Sequence, residues 1–288
     1  MARYTYALVD GVMRQTAIRE LYSKKEPLQT IPLYINTPYK DNYDLGPILV
    51  SALDGSNLIN EIKQSWTNSA TIIHSNEYLQ TVADHLKQII TVTDETNSKA
   101  LFRFADPLIT WYWLNSYGQN ALPDIMGPIN TWQVPVPVAK WQQPAIEWQT
   151  FENPQTEPLK IQLDYLNEPQ VEALNNAAAF KLKNEIYETC LEIMPNFFEN
   201  QPESKISQWM ELQHKKATEF GVISNRSYAM WYVMAMEFGN DFASKPQGIY
   251  QSWLASQPKY KGLPAEVNIQ HFFDERTQPS EAVTMEIV

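Results

Sequence analysis

Cysteine and glycine are both scarce in this chain, which has one cysteine, Cys190, and nine glycines among its 288 residues. A lone cysteine excludes a disulfide within the chain and an all-cysteine metal site. So few glycines argue against a glycine-rich loop of the kind that cradles phosphate groups. Because a free thiol without a disulfide framework is typical of a reducing compartment, we expect a cytoplasmic protein.

Long hydrophobic runs are missing as well. No stretch of the sequence approaches the roughly 20 consecutive apolar residues that a membrane-spanning helix needs. Residues 1–5 lead directly into a strand-like run, without the charged region, apolar stretch and cleavage site of a signal peptide. We therefore expect no secretion signal and no insertion into a membrane.

Positive charge is the third deficit. The chain has 22 Lys and Arg residues and 33 Asp and Glu residues, which gives a net charge of −11. This balance argues against nucleic-acid binding, which requires a positive surface. The excess is uneven: residues 1–150 carry 11 basic and 14 acidic side chains, whereas residues 151–288 carry 11 and 19. The acidic second half is either a solvated surface or a face that meets a basic segment of a partner.

Short catalytic motifs are not found either. The chain contains no Gly-x-Ser-x-Gly or His-Glu-x-x-His sequence, and its four histidines lack the spacing of metal ligands. We therefore expect no cofactor, no metal and no enzymatic activity. The alternative is a hydrolase that uses Asp84 with His85, or Arg103 with Asp106.

The first half contains short apolar runs that alternate with helical periodicity, which predicts strands and helices in turn. Asp106 and Pro107 open an apolar helix, so we expect Asp106 to cap this helix and to pair with Arg103. Ser75 is the predicted cap of another helix. The predicted strands are 4–9, 31–35, 48–50, 71–74 and 100–104, and the other predicted helices are 57–66 and 75–90.

Proline occurs six times in residues 127–158 and interrupts regular secondary structure there. Proline cannot donate to a strand ladder, so this stretch predicts edge strands and an extended connector, with a lobe boundary within 152–157. Helical spacing follows: one helix is capped by Asn167, and others begin at Ser204 and Ser224. The helix from Ser224 has almost no polar face, so it is either central to its lobe or lines a groove.

These patterns predict an α/β (α+β) N-terminal lobe with a mixed sheet and flanking helices, followed by an all-α C-terminal lobe. The predicted boundaries are 1–155 for the first lobe and 156–273 for the second. Residues 274–288 form a polar tail that we expect to be mobile.

Six short blocks of the first half follow one another in a characteristic order. The blocks are YALVDG (6–11), LGPILV (45–50), HS (74–75), ADHL (83–86), LFRFADP (101–107) and MGPINTW (126–132). In this order they resemble the type VI secretion adaptor chaperones, a family long described only as a domain of unknown function, and the resemblance covers about residues 4–132. One departure is Leu108, since the family often has a basic residue after the Asp-Pro pair.

The resemblance implies a cytoplasmic adaptor that binds a secreted effector protein, through its N-terminal segment, and helps to load it onto the spike protein. It also implies that the motif residues have structural roles and that the helical half is more variable. The alternative to an adaptor or a hydrolase is a structural piece of a phage-like baseplate. The motif residues are Asp10, Gly11, Gly46, Pro47, His85, Arg103, Phe104, Asp106, Pro107, Gly127, Pro128 and Trp132.

Aromatic side chains are the expected anchors of such an interface, which needs a few strong contacts and not a deep polar pocket. The candidates in the first lobe are Trp111, Trp113, Tyr117 and Trp132, each of which could instead be a core residue. We expect the first lobe to meet the common partner or effector motif, and the acidic helical lobe to add selectivity for one client.

Overall fold

The computed structural model describes residues 3–53, 56–118, 121–154 and 160–276. The chain divides into two compact units, Met1–Val138 with Ala145–Ala178 and Ala139–Pro144 with Ala179–Val288. The lobe boundary predicted at 155/156 falls outside the described residues and stays a prediction. The second unit takes up the chain again at Ala179, within a long helix.

The first unit is built on two sheets. A six-stranded sheet has the order β2-β3-β1-β4-β7-β8, and its pairs are antiparallel; a three-stranded sheet, β6-β5-β9, includes the parallel pair β5–β9. The strands are β1 (Tyr4–Asp10), β2 (Leu28–Pro32), β3 (Pro47–Ala52), β4 (Ala70–Ser75), β5 (Thr91–Asp94), β6 (Lys99–Leu101), β7 (Ile129–Pro135), β8 (Trp148–Glu152) and β9 (Tyr165–Leu166).

Helices cover both faces of the larger sheet. They are α1 (Ala17–Ser23), α2 (Leu58–Ser65), α3 (Leu79–Lys87), α4 (Pro107–Asn115), α5 (Leu122–Met126) and the start of α6 (Glu168–Ile193).

Both faces of the sheet are buried because successive side chains of a strand point to opposite faces. Tyr6 and Leu8 of β1 pack with α3, α4 and α5, whereas Ala7 and Val9 pack with α1 and α2. Each aliphatic or aromatic side chain buried in this way contributes about 1.5–3 kcal/mol to stability.

Three predicted elements of the first unit are wrong at their ends. Strand 31–35 is displaced, because β2 ends at Pro32 and Asn36, with φ 65°, turns the chain. Strand 100–104 stops at Leu101, since the amide of Asp106 bonds the Arg103 carbonyl in a turn. Helix 75–90 begins only at Leu79 and ends at Lys87.

The proline-rich stretch also differs from its prediction. β8 is an edge strand as predicted, but β7 lies between β4 and β8. Pro135 is tolerated there because it is the last residue of β7, where the ladder ends.

The second unit is helical, and its centre is α8. Every residue from 227 to 236 of this helix is buried, so α8 is the core of its unit. Ser224 caps it by accepting from the amide of Ser227 at 3.4 Å. The helices after α6 are α7 (Glu203–Phe220), α8 (Asn225–Phe238), α9 (Ile249–Ser256) and α10 (Ala265–Arg276).

The predicted fold class is confirmed: sheets with flanking helices come first and a helical region follows. Residues 274–276 of the predicted tail are the end of α10, and its other residues, 277–288, lie outside the described part of the chain. Across the described ranges, no helix combines the length and the apolar character needed to cross a membrane.

Cys190 tests the packing of α6. This thiol is fully buried, and burial raises its pKa to about 12, so almost none of it is thiolate at pH 8. We expect Ellman's reagent to label the native protein at least ~100-fold more slowly than the unfolded protein in guanidinium chloride. Labelling of the native protein at the rate of a free thiol would contradict the burial of this face of α6.

Candidate partner-binding surface

Arg103 ties together two segments that are far apart in the chain. Its Nη2 lies 3.2 and 3.1 Å from the two carboxylate oxygens of Asp10, at the end of β1, and 3.3 Å from Oδ2 of Asp106. Both carboxylates are buried, whereas the Arg103 side chain is 32% exposed. The predicted pair of Arg103 with Asp106 is therefore confirmed, and Asp10 is a second partner that the prediction did not include.

Asp106 both caps α4 and pairs with Arg103 at this junction. Its Oδ1 accepts from the amide of Leu108 at 3.0 Å, so it caps α4 as predicted, with Pro107 at the first helical position. Burial raises the pKa of Asp106 above its ordinary value, and the Arg103 guanidinium opposes that rise. The cation and the helix start together keep a buried carboxylate in place.

The loop after β1 packs closely against the start of β3. The amide of Gly11 donates to the Gly46 carbonyl at 3.2 Å, and a Cβ at Gly11 would lie 2.4 Å from the Asp44 carbonyl oxygen. The ring of Tyr34 lies directly against Gly46. Burial, together with the Asp10 carboxylate, raises the pKa of Tyr34 to about 12. Only a residue without a side chain fits at this approach.

Exposed apolar side chains surround this junction. Strands β1 and β2 end and β3 begins at the same end of the sheet, as the pairs Asp10–Pro47 and Pro32–Ile48 show. The loops at this end carry large apolar residues that are 38–49% exposed. We call this surface the sheet-end patch; its residues are Val12, Met13, Ile35, Tyr43 and Leu45.

Hydrogen bonds and a ring contact tie the loops of the sheet-end patch to the rest of the first unit. The amide of Met13 donates to Asp10 Oδ1 at 2.9 Å, which links the patch to the Arg103 junction. In the second loop, the rings of Tyr34 and Tyr39 lie 5.4 Å apart, and the Tyr39 hydroxyl lies 3.0 Å from Oγ1 of Thr91. A preordered surface of this kind loses little conformational freedom when a partner binds.

His85 and Gly127 form the second junction of motif residues. His85 is buried, and its Nε2 donates to the Ile125 carbonyl at 2.8 Å. Burial lowers its pKa, so the ring is neutral at pH 7. Gly127 has φ 51°, and a Cβ there would lie 2.4 Å from the His85 ring. The Pro128 carbonyl accepts from the hydroxyl of Ser75, which therefore does not cap α3.

Of the two pairs in the hydrolase alternative, Arg103 with Asp106 is the ion pair described above, whereas Asp84 and His85 bond other groups. Asp84 Oδ1 accepts from Gln80 at 2.8 Å and lies 3.5 Å from Lys87 Nζ, whereas His85 bonds a carbonyl. Within the described ranges, no three His, Cys, Asp or Glu side chains form a group able to hold a metal.

Two of the predicted aromatic anchors are core residues, which corrects their assignment. Trp113 and Trp132 are at most 1% exposed, and their rings lie edge to face with centroids 6.2 Å apart. Trp132 Nε1 donates to Thr71 Oγ1 at 2.9 Å, and Trp113 Nε1 donates to the Tyr117 hydroxyl at 3.1 Å. With their indole groups satisfied inside the sheet–helix core, neither residue offers surface to a partner.

Trp111 and Tyr117 are only partly buried and stay candidate anchors. The motif residue Phe104 is buried, and its carbonyl accepts from the hydroxyl of Thr110 at 2.6 Å. Pro47 begins β3, and its carbonyl accepts from the amide of Leu33 at 2.8 Å. The structure thus brings the motif residues together in two junctions, whereas the sheet-end patch was missed because burial is not visible in a sequence.

Comparison with known proteins places part of the first unit in a described family model. Residues 5–123 match the family model described as a domain of unknown function (DUF4123). This stretch lies within the first unit and contains β1 to β6, α1 to α4 and the sheet-end patch. No curated protein and no solved structure matches the chain.

The Arg103 junction gives a pH-dependent prediction. In Arg103→Met, the buried Asp10 and Asp106 lose their cation, which should lower the free energy of unfolding by about 2 kcal/mol at pH 7. The loss is smaller than for a fully buried cation because the Arg103 side chain is 32% exposed. The pKa of Asp106 should rise further without Arg103. The loss should therefore shrink as the pH falls and Asp106 takes up a proton. Urea unfolding between pH 7 and pH 4 measures both effects.

Lys215→Met is the matched control for Arg103→Met. It removes one charge from an exposed pair with Glu219 on α7 and should change the free energy of unfolding by less than ~0.5 kcal/mol at either pH. A loss at Arg103 that grew on acidification would contradict the junction.

The His85 junction predicts a large difference between two glycines. Gly127→Ala places a Cβ against the buried His85 ring at a positive φ, and should lower the free energy of unfolding by at least ~2 kcal/mol. Gly118→Ala meets open space and should change it by less than ~1 kcal/mol. Equal urea midpoints for the two variants would show that the close approach at Gly127 is not needed.

Proposed function

We propose that this chain is a cytoplasmic adaptor that binds a type VI secretion effector and helps to load it onto the spike protein. The match of residues 5–123 to a domain of unknown function supports this proposal, together with the resemblance of six ordered sequence blocks to the adaptor family. The finer assignment rests on that resemblance. The geometry of the first unit supplies the physical basis.

One observation carries the proposal: three of the six family-like blocks converge on the end of the sheet where the sheet-end patch is exposed. Asp10 and Gly11 come from the first block, Gly46 and Pro47 from the second, and Arg103 from the fifth. These residues contact one another and so fix the positions of the loops that they belong to. The apolar side chains that they present are left free for a partner.

A loading factor must hold its client and later release it, which calls for an interface of moderate size. Single exposed apolar residues are ordinary on protein surfaces. Five of them on the two loops at one end of the sheet exceed such scattered exposure, and exposed apolar residues gathered on one side of a protein mark protein contacts. The exposed part of Arg103, which bonds Asp10 at the same end, adds a donor for a backbone carbonyl or carboxylate of the client.

The proposal also assigns the two units different tasks. The first unit, which contains the family-like blocks, meets the common feature of effectors or the spike. The second unit adds selectivity for one client. Acidic charge does not distinguish the two units in this way, because the first carries 11 basic and 19 acidic side chains and the second carries 11 and 14, so the division rests on the family-like blocks.

The sheet-end patch can be tested with a double variant. Met13→Asp with Leu45→Asp places two charges where apolar contacts would form, and should weaken retention of the effector at least ~10-fold. The measurement is quantitative recovery of effector and spike with the tagged full chain from the native cytoplasm. Both positions are exposed, so the urea midpoint should stay close to that of the unchanged chain.

Tyr78→Asp is the matched control. Tyr78 is 62% exposed and follows β4 at the opposite end of the sheet from the patch. The Tyr78→Asp variant should therefore retain the effector fully. Recovery of neither effector nor spike by the unchanged chain would overturn the proposed function. Equal retention by the double variant and Tyr78→Asp would remove the patch from the interface.

A further inference from the structure

Strand β2 is an edge of the six-stranded sheet, because β3 pairs with one side of it and no strand of this sheet pairs with the other. The register of β2 with β3 fixes which backbone groups point outward. The amide of Leu33 donates to the Pro47 carbonyl at 2.8 Å, so the bonds to β3 fall on the odd-numbered residues of β2. The N–H and C=O groups of Leu28 and Thr30 therefore point away from the sheet.

Among the residues that the structure describes, none forms a hydrogen bond with these outward backbone groups of Leu28 and Thr30. Pro32 also faces outward, but it has no N–H, and its carbonyl accepts from the amide of Ile35 at 3.3 Å. The free donors and acceptors thus follow one another at the spacing of a strand. The backbone of another extended segment is the partner that matches this spacing.

β2 differs from the other edge strands because it carries no charge. Edge strands are commonly protected from pairing by charged side chains or by being very short. β8 ends in Glu152, β6 begins with Lys99, and β9 has two residues. β2 has the uncharged sequence LQTIP, and prolines at 27 and 32 limit the length of its open stretch without interrupting it. An added ladder of this length is short, as suits a loading factor that must later release its client.

Exposed apolar side chains lie on both sides of this open stretch. Tyr22 of α1 is 75% exposed, and its hydroxyl lies 3.5 Å from Oγ1 of Thr30. Ile35 of the sheet-end patch follows three residues after Pro32, in the loop that leaves β2. A strand beside β2 would bring its side chains within reach of the Tyr22 ring, and its chain would continue onto the patch.

We infer that an extended segment of the client adds to β2 as a further strand of the sheet, with its backbone bonded to Leu28 and Thr30. This inference rests on the proposed function, because it assumes a protein client. The edge of β2 lies within residues 5–123, which match the family model, whereas β8 lies outside them. Because every sequence has the same backbone groups, this contact suits a feature that different clients share.

Two threonines on different edge strands give a matched pair of variants. Thr150 of β8 corresponds to Thr30, because the amide of Val136 donates to the Glu147 carbonyl at 2.9 Å and the N–H of Thr150 therefore faces outward. Thr30→Pro removes an outward N–H, leaves the ladder with β3 intact, and should weaken retention of the effector by the tagged full chain at least ~10-fold. Thr150→Pro makes the same change on β8 and should retain the effector fully.

Thr30→Val separates the backbone of this residue from its side chain. This variant keeps the N–H and the shape of threonine and loses the hydroxyl, so its retention of the effector should stay within about twofold of the unchanged chain. Urea midpoints establish that the three variants are folded. Equal retention by Thr30→Pro and Thr150→Pro, or an equal loss in Thr30→Val and Thr30→Pro, would overturn the inference.

Hydrogen exchange at single-residue resolution tests the added ladder in the unchanged chain. In the free chain, the amides of Leu28 and Thr30 should exchange fast, whereas those of Gln29 and Ile31, which face β3, should exchange slowly. In the complex with the effector, exchange at Leu28 and Thr30 should slow at least ~10-fold. Unchanged exchange at both amides would overturn the inference, whatever the variants show.

The remaining outcomes separate this inference from the proposed function. If the free chain sediments as a dimer that Thr30→Pro dissociates, the edge pairs with a second copy and the inference is overturned. If the unchanged chain retains the effector and Thr30→Pro retains it as well as Thr150→Pro does, the inference fails and the proposed function stands. If the unchanged chain retains neither effector nor spike, the proposed function fails and the inference fails with it.

Discussion

The interaction on which the first unit depends is the contact of Arg103 with Asp10 and Asp106. It joins the end of β1 to the start of α4 across 93 residues of chain, and the same Asp10 carboxylate also holds the amide of Met13. Two buried carboxylates require a cation, and an arginine whose guanidinium reaches the surface supplies one at a smaller desolvation cost than a fully buried charge. The path of the loops beside the junction therefore follows from this contact.

How much of the fold is predictable from sequence depends on how local its cause is. The cap of α4 by Asp106 is visible because the carboxylate, the proline and the helix lie within three residues. The contact of Arg103 with Asp10 is not, because nothing short of the folded sheet brings them together. Ser75 shows the converse. Its side chain is of the type that caps helices, but its hydroxyl donates to the Pro128 carbonyl because β4 holds Ser75 beside β7.

The same reasoning separates the motif residues from the functional surface. Residues such as Gly127, His85 and Trp132 carry the family resemblance because their packing allows few alternatives, and they are buried. The exposed residues of the sheet-end patch lie on loops, where sequence patterns are weakest and binding residues are most frequent. Aromatic content therefore identified the core tryptophans more readily than the exposed residues of the sheet-end patch.

The central claim is that the first unit meets its client through the sheet-end patch that the Arg103 junction holds in place. Hydrogen–deuterium exchange of the complex purified from the native cytoplasm, compared with the free chain, tests it most directly. The account predicts slower exchange on binding within residues 11–16 and 33–46. Unchanged exchange in both segments, with slower exchange elsewhere in the chain, would contradict it.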